Sequence, residues 1–395
     1  MIASERDYAP HSQEAFQDVT IQASASPGAS ALTGMRILVV VTSIAAGGAE
    51  RVAIDFALDW KAHGAEVVIV TVMDSRTPMP HAAELDSMTL AFRGDETSGI
   101  MSRIGENIAS VSRLRGMIHR FRPDVIVSHV DRTNVLSLFA AMGTRYPVVI
   151  VEHNHFRRHK IGKLWEWLRF AAYPRADRIV TVSRGLIAAL PRNLAGRAVA
   201  IHNPIRPMAK TEHRAPVVEV AAMGRLVPQK GFDLLIRAFA RVVQARPEAR
   251  LTIWGDGADR KALENMAAEL GIADAVRLPG RTTDPSGAFS QAGLFVLPSR
   301  YEGFGLVLAE AMSVGLPVVS FDCESGPSEI VRDGVDGLLV PPEDTAALAA
   351  AILQVMGNDD IAGRFAAHAP AVDKRFDFAK QAALWRDLLD DYRGC

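Results

Sequence analysis

Two carboxylates, Glu302 and Glu310, frame the stretch of this chain with the most telling chemistry. Gly303, Phe304 and Gly305 lie between them, followed by apolar residues at helical spacing (Leu306, Ala309, Met312). The run before them, Gly293 to Leu297, is short and apolar like a buried strand, and Pro298-Ser299 breaks it. Gly303 and Gly305 therefore fall where a strand hands over to a helix N-terminus. There, free N–H groups and the positive end of the helix dipole form a site for an anion. Glycine lets the backbone approach a phosphate with no Cβ in the way. The carboxylates only accept hydrogen bonds, and sugar hydroxyls donate them. A phosphate cradle between two hydroxyl acceptors points to a sugar nucleotide.

Cations stand where such a ligand needs them. Gly224-Arg225 ends one strand-like run and Lys230-Gly231 opens the next helix, so both side chains can neutralise a departing diphosphate. Gly255-Asp256-Gly257 follows another strand. It reads either as a cleft-lining turn or as an ordinary Asp-Gly turn. His129 and Asp131 end the strand that begins at Asp124, at the edge where parallel sheets bind ligands; Asp131 reads equally as a helix N-cap. Glu152, His153 and Asn154 end a further strand and are candidates for an acceptor site. Gly47-Gly48 lies at the first strand-to-helix turn, facing a ligand or only packing helix on strand. No Asp-x-Asp pair occurs, so no metal is expected; Arg225, Lys230 and a helix N-terminus can take its place.

These residues need a frame of alternating strands and helices. Arg36–Thr42 is a buried-strand run, Ala49–His63 has helical periodicity, and Val67–Val72 is the next strand, the opening of a doubly wound parallel sheet. Residues 74–98 read as loop or short strands, Gly99–Phe121 as a helix, and further strands lie near 148–151, 178–182 and 198–202. Three prolines in 203–216 mark a linker, after which strand–helix alternation restarts and runs to a final helix at 376–393. The expected organisation is a disordered extension at 1–34, a first α/β domain at 35–205 and a linker at 206–216. A second α/β domain follows at 217–375, with 376–395 packing back on the first; Met35 is an alternative start. Two such domains clamp a ligand in the cleft between them.

Composition sets outer bounds. At 395 residues, 49% hydrophobic and 23% charged, the chain is globular with room for two cores. A net charge of −1 gives no general affinity for nucleic acid, and two cysteines exclude a disulfide framework and fit a reducing cytoplasm. No apolar run reaches the ~18 residues of a membrane span.

Taken in order, Gly224-Arg225, Lys230-Gly231, Gly255-Asp256-Gly257 and Glu302-Gly303-Phe304-Gly305 with Glu310 resemble glycosyltransferase family 4. The likeness covers roughly residues 35–393. The stretch Val319–Glu329 is similar to the branch that builds bacterial polysaccharides and lipid-linked oligosaccharides. The resemblance implies a GT-B fold of two Rossmann-like domains and a retaining mechanism. It implies that Arg225 and Lys230 hold the donor diphosphate, Glu310 the ribose, Glu302 the donor sugar, and Gly303–Gly305 the distal phosphate. Gly47 and Gly48 would face the donor and His129 the transferred sugar.

The expectation is thus a metal-independent enzyme using a nucleotide-sugar co-substrate, with UDP favoured, on a glycan or polyprenyl-diphosphate-linked acceptor. Rivals are a GT-B nucleotide-sugar epimerase and a non-catalytic two-domain sugar-binding protein. An oxidoreductase is disfavoured because no Gly-x-Gly-x-x-Gly opens the first helix. Residues 156–177 carry six basic side chains against Glu166 and Asp177, and Ile161, Leu164, Trp165, Leu168 and Ala172 form one helical stripe. This segment is expected either to touch an anionic, cytoplasm-facing membrane surface or to pack as core.

Overall fold

The computed structural model describes residues 32–44, 47–73, 80–92, 100–205, 208 and 216–394. The first domain holds seven parallel strands: β1 (Arg36–Val41), β2 (Glu66–Met73), β3 (Asp86–Phe92), β4 (Val125–His129), β5 (Val148–Glu152), β6 (Arg178–Thr181) and β7 (Ala198–Ala200). Their spatial order is β3-β2-β1-β4-β5-β6-β7. The second holds six: β8 (Glu219–Met223), β9 (Arg250–Trp254), β10 (Val276–Gly280), β11 (Leu294–Leu297), β12 (Val318–Phe321) and β13 (Leu338–Val340), in the order β10-β9-β8-β11-β12-β13. Each sheet reverses direction beside its first strand, and ligands of such sheets sit beyond the strand ends at that switch point. β4 and β5 are buried at every position, as continuous apolar runs covered on both faces must be.

Among the described residues the first domain's helices include α1 (Gly48–Ala62), α2 (Ile100–Phe121), α3 (Asp131–Ala141), α4 (Lys163–Ala172) and α5 (Arg184–Ala189), with a further one-turn helix at Arg192–Ala195. The last long helix, Phe378–Asp390, returns to α1. Trp385 packs on Phe56 and Trp60, and Arg386 Nη1 grips Asp59 at 2.6 and 2.8 Å.

One expectation changes and two open ones narrow. Leu32 is fully buried and the Gly34 N–H reaches Gly64 O at 3.1 Å, so order begins before Met35; residues 1–31 lie outside the described part, as do 206, 207 and 209–215 of the linker. Within 74–98 the chain forms β3, an edge strand; 74–79 and 93–99 are outside the described residues. In α4 the expected membrane stripe turns inward. Ile161 and Ala172 are buried, while Trp165 and Leu168 pack half-buried against the first domain's core. Leu164 alone of that stripe is exposed, beside Trp167 and Phe170 on the outer face.

Candidate active site at the domain cleft

β11 delivers the chain to a tight turn at Ser299–Gly305, and the helix Leu306–Ser313 starts from it. Gly305 has φ 95°, a left-handed conformation suited to glycine, and no side chain caps the helix N-terminus. The Glu302 carboxylate is 5% exposed and accepts, at one oxygen, hydrogen bonds of 2.6 Å from both Lys230 Nζ and Ser299 Oγ. Serines hold the turn from both domains. Ser325 Oγ donates to Glu302 O at 2.5 Å, and Ser183 Oγ, from the first domain, to Gly303 O at 2.6 Å.

Gly303 is glycine for a reason other than phosphate approach. A Cβ there would stand 1.9 Å from the carbonyl oxygen of His153, so the donor turn and the end of β5 meet backbone to backbone. Phe304 likewise departs from the expected donor contact: its ring is buried against His202 and Phe376. Asp256 is a correction too. It is an exposed turn residue whose carboxylate accepts from Arg260 Nε (3.1 Å) and the Gly257 N–H (3.0 Å), and Arg260 holds its carboxyl below the usual range. Gly255 and Gly224 bring the ends of β8 and β9 into contact, since a Cβ on Gly255 would lie 1.8 Å from Gly224 O.

Arg225 is exposed at the end of β8, and its charge bears on two residues that sequence reasoning missed. Partial burial pushes the Glu50 carboxyl up, and Arg225 pulls it the other way across the cleft. Burial also raises the Tyr301 phenol, with Arg225 opposing this and Glu302 and Asp131 adding to it. Gly47 and Gly48 start α1 with no side-chain cap, next to Glu50; residues 45–46 of that turn lie outside the described part. Glu310 lies in the second turn of its helix and is bridged through Oε1 to Arg51 Nη2 of α1 at 2.6 Å. Arg51 was not legible from local spacing, because it lies 259 residues away.

Across the cleft, His129 Nδ1 and His153 Nε2 share a hydrogen bond of 3.1 Å. Burial lowers the His129 imidazole well below its usual range. It brings His153 down to about 4, with Asp131 opposing, so both rings are neutral at pH 7. Asp131 opens α3 behind Val130, which is strained at φ 74°. Its Oδ2 meets His159 Nε2 at 3.2 Å, and Oδ1 has no partner. Asn154 is half-buried.

Glu152 does not face an acceptor. It is buried beneath the site, accepting from Tyr173 Oη (2.5 Å) and Asn134 Nδ2 (3.1 Å), both at Oε1. Burial, with the Asp131 charge adding, pushes its carboxyl up to about 8, consistent with a proton on the partnerless Oε2. Its folded value is raised, so its contribution to stability is full below the ordinary carboxyl value and lost as pH rises through about 8. Glu152→Gln is therefore expected to gain on wild type in melting temperature as pH rises from acidic to above 8. A pH-independent difference would contradict this assignment.

Among the described residues no three His, Cys, Asp or Glu side chains converge as a metal site, and no helix is long and apolar enough to cross a membrane. Two family models match adjoining stretches of the chain. Residues 46–208 match Glycosyltransferase Family 4, and residues 208–372 match Glycosyl transferases group 1. A lipopolysaccharide core biosynthesis glycosyltransferase of Rhizobium meliloti, LpsE, is 30% identical over 268 residues, 64% of this chain and 72% of that one.

The chain belongs to glycosyltransferase family 4.

Further similar proteins are named for work on bacterial glycans. A Campylobacter jejuni α-1,4-N-acetyl-D-galactosaminyltransferase, named for a diphosphoundecaprenol-linked substrate, is 24% identical across 91% of this chain and 99% of its own. An exopolysaccharide phosphotransferase of Streptomyces coelicolor is 34% identical over 62% of this chain, but this chain spans only 26% of its length. The family's GT-B fold is shown by Anabaena HepE, solved with UDP-glucose: TM-score 0.77, 22% identity, covering 90% of this chain and 100% of that one.

On the ribose-binding role that the resemblance implies for Glu310, Glu310→Ala is expected to weaken nucleotide binding by about 1.5–3 kcal/mol, the loss of a hydrogen-bonded carboxylate. Arg51→Ala separates that from the interdomain bridge, because it breaks the bridge and leaves the carboxylate. Calorimetry should show the larger loss in Glu310→Ala; equal losses would assign Glu310 to holding the domains together.

Proposed function

We propose that this enzyme moves a hexose or N-acetylhexosamine from a UDP-sugar to a glycan or lipid-linked acceptor in cell-surface polysaccharide synthesis. In this reading it works at the cytoplasmic face, with retention and without a metal. The observation that carries the reading is the grouping of Lys230 and an uncapped helix N-terminus around Glu302, with Glu310 one helical turn further on and Arg225 at the end of β8. As the bond from the anomeric carbon to the diphosphate breaks, these positive groups hold the developing charge. The acceptor hydroxyl attacks from the face the diphosphate leaves, and its proton passes to the departing phosphate oxygen. Glu302, pinned by Lys230 and Ser299, accepts from donor-sugar hydroxyls. The neutral His129–His153 pair lies at the facing strand ends, where it hydrogen-bonds the sugar without adding charge.

A thermal-shift panel of nucleotide sugars in EDTA tests the donor assignment. A ligand at a hundred times its dissociation constant stabilises by about 2.7 kcal/mol, a readable shift. UDP-sugars should stabilise most. Stabilisation by no nucleotide sugar, or only with magnesium added, would overturn the assignment.

A further inference from the structure

Arg300 stands two residues before Glu302, and its side chain ties together three other segments of the second domain. Its Nη1 donates to Pro228 O at 2.7 Å and to Asp233 Oδ1 at 2.8 Å. Nη2 donates to Asp233 Oδ2 at 2.7 Å, and Nε to Glu343 Oε2 at 3.2 Å. These bonds commit four of the five N–H groups that a guanidinium offers. Asp233 lies in the first turn of the helix Phe232–Ala245, into which Lys230 and Gly231 lead. Glu343, beyond β13, holds a left-handed φ of 62°, a strained conformation for a residue with a side chain.

The backbone beneath this fork is laced to the same turn. The Arg300 N–H donates to Gln229 O at 2.9 Å, and Gln229 Nε2 donates to Tyr301 O at 3.1 Å. Gly231, at φ 64°, has no room for a side chain, since a Cβ would stand 2.0 Å from Pro298 O. Lys230 sits between these two anchored residues. Its stem runs past Gly224, where an added Cβ would meet three of its methylene carbons at 3.4 Å, and its Nζ ends on Glu302 at 2.6 Å. An ammonium has three donors, so two remain for a ligand. Lysine is a flexible stem with about 2 kcal/mol of rotamer entropy, and a charge meant for one place needs its base held. Beyond its modest energy, a bidentate guanidinium–carboxylate pair imposes a single orientation.

We propose that Arg300 is a positioning residue. With Asp233 it locks the turn at 228–231 onto the end of β11, and so fixes Lys230 beside the diphosphate site. The inference rests on the donor-binding reading of Lys230 and names what keeps that ammonium in place. Without the clasp the turn loosens, Lys230 samples several positions, and its share of diphosphate binding falls.

The test compares UDP with uridine on the full chain by calorimetry, directly for UDP and by competition for uridine. Only UDP carries the groups that Lys230 meets. Arg300→Gln should lose about tenfold in UDP affinity and bind uridine like wild type. Asp233→Asn should shift the same way. Arg300→Lys, which keeps the charge without the fork, should fall between Arg300→Gln and wild type. Lys230→Ala should lose UDP selectively, and adding Arg300→Gln to it should cost no more than about twofold further, because both act through one ammonium. Melting temperatures identify any variant that fails to fold; Arg300→Lys and Asp233→Asn then carry the comparison. Equal losses for UDP and uridine would make Arg300 a general support of the fold, and additive losses in the double variant would mean that it does not act through Lys230. Either result overturns the proposal. If Lys230→Ala loses UDP selectively while Arg300→Gln binds it like wild type, only the positioning role falls. If Lys230→Ala binds UDP like wild type, the donor reading of Lys230 falls and the positioning role falls with it.

Discussion

Lys230→Ala is expected to lower turnover by about 10²–10³-fold, the usual cost of removing one preorganised charge from a developing oxyanion. The same substitution should also destabilise the fold. Lys230 neutralises a Glu302 carboxylate that is nearly inaccessible to water, and breaking a buried pair on one side costs about 3–5 kcal/mol unless the survivor takes a proton. Arg225→Ala offers the contrast. Arg225 is exposed, so its loss should leave the melting temperature nearly unchanged while turnover still falls. In sequence both cations read alike, as neutralising a departing diphosphate; burial of the Lys230 pair separates them. Combining Lys230→Ala with Glu302→Gln should recover melting temperature and not turnover. Recovery of both would show that Lys230 only stabilises the turn.

Gly303→Ala should open the cleft. The new methyl would lie 1.9 Å from His153 O and 2.8 Å from its carbonyl carbon, both backbone atoms, so a rotamer change gives no relief. Either the donor turn or the end of β5 must withdraw. Overpacking of this kind costs about 1–3 kcal/mol, and a misplacement near 1 Å can remove about 10²-fold of rate. Small-angle scattering should report a more extended particle and kinetics a fall in kcat, with each domain still folded. Wild-type kinetics from Gly303→Ala would mean that the two domains do not close on this contact during turnover.

How much of this was legible in the sequence depends on the distance over which each interaction acts. β1, β4 and β5 are buried apolar runs that announce themselves. β3 (Asp86–Phe92) was legible only as one of two readings, loop or short strand, because as an edge strand it carries polar, exposed residues at Ser87 and Thr89. The helix Asp359–His368 was missed although Asn358, whose side chain accepts from the Ile361 N–H, and Asp359-Asp360 in its first turn were readable start signals. In α4 apolar residues occur on both faces, so periodicity showed a helix without choosing its inward side; packing turned Trp165 and Leu168 in and left Trp167 and Phe170 out. The donor turn was readable because Glu302, its glycines and Glu310 are close in sequence. Its partners Arg51 and Ser183 come from the other domain and became visible only when the two sheets met.

The central claim is a metal-free sugar transfer driven by Arg225 and Lys230, and one reaction tests it most directly. The purified chain is incubated in EDTA with the UDP-sugar that stabilises it best and an acceptor glycan carried on a prenyl diphosphate. Free UDP and the anomeric configuration of the new linkage are followed by NMR. The predicted result is UDP and a glycoside with the donor's anomeric configuration appearing in equal amounts, strongly reduced in Lys230→Ala. Isomerised UDP-sugar without glycoside would instead identify an epimerase. Activity abolished by EDTA and restored by magnesium, or a product of inverted configuration, would contradict the mechanism.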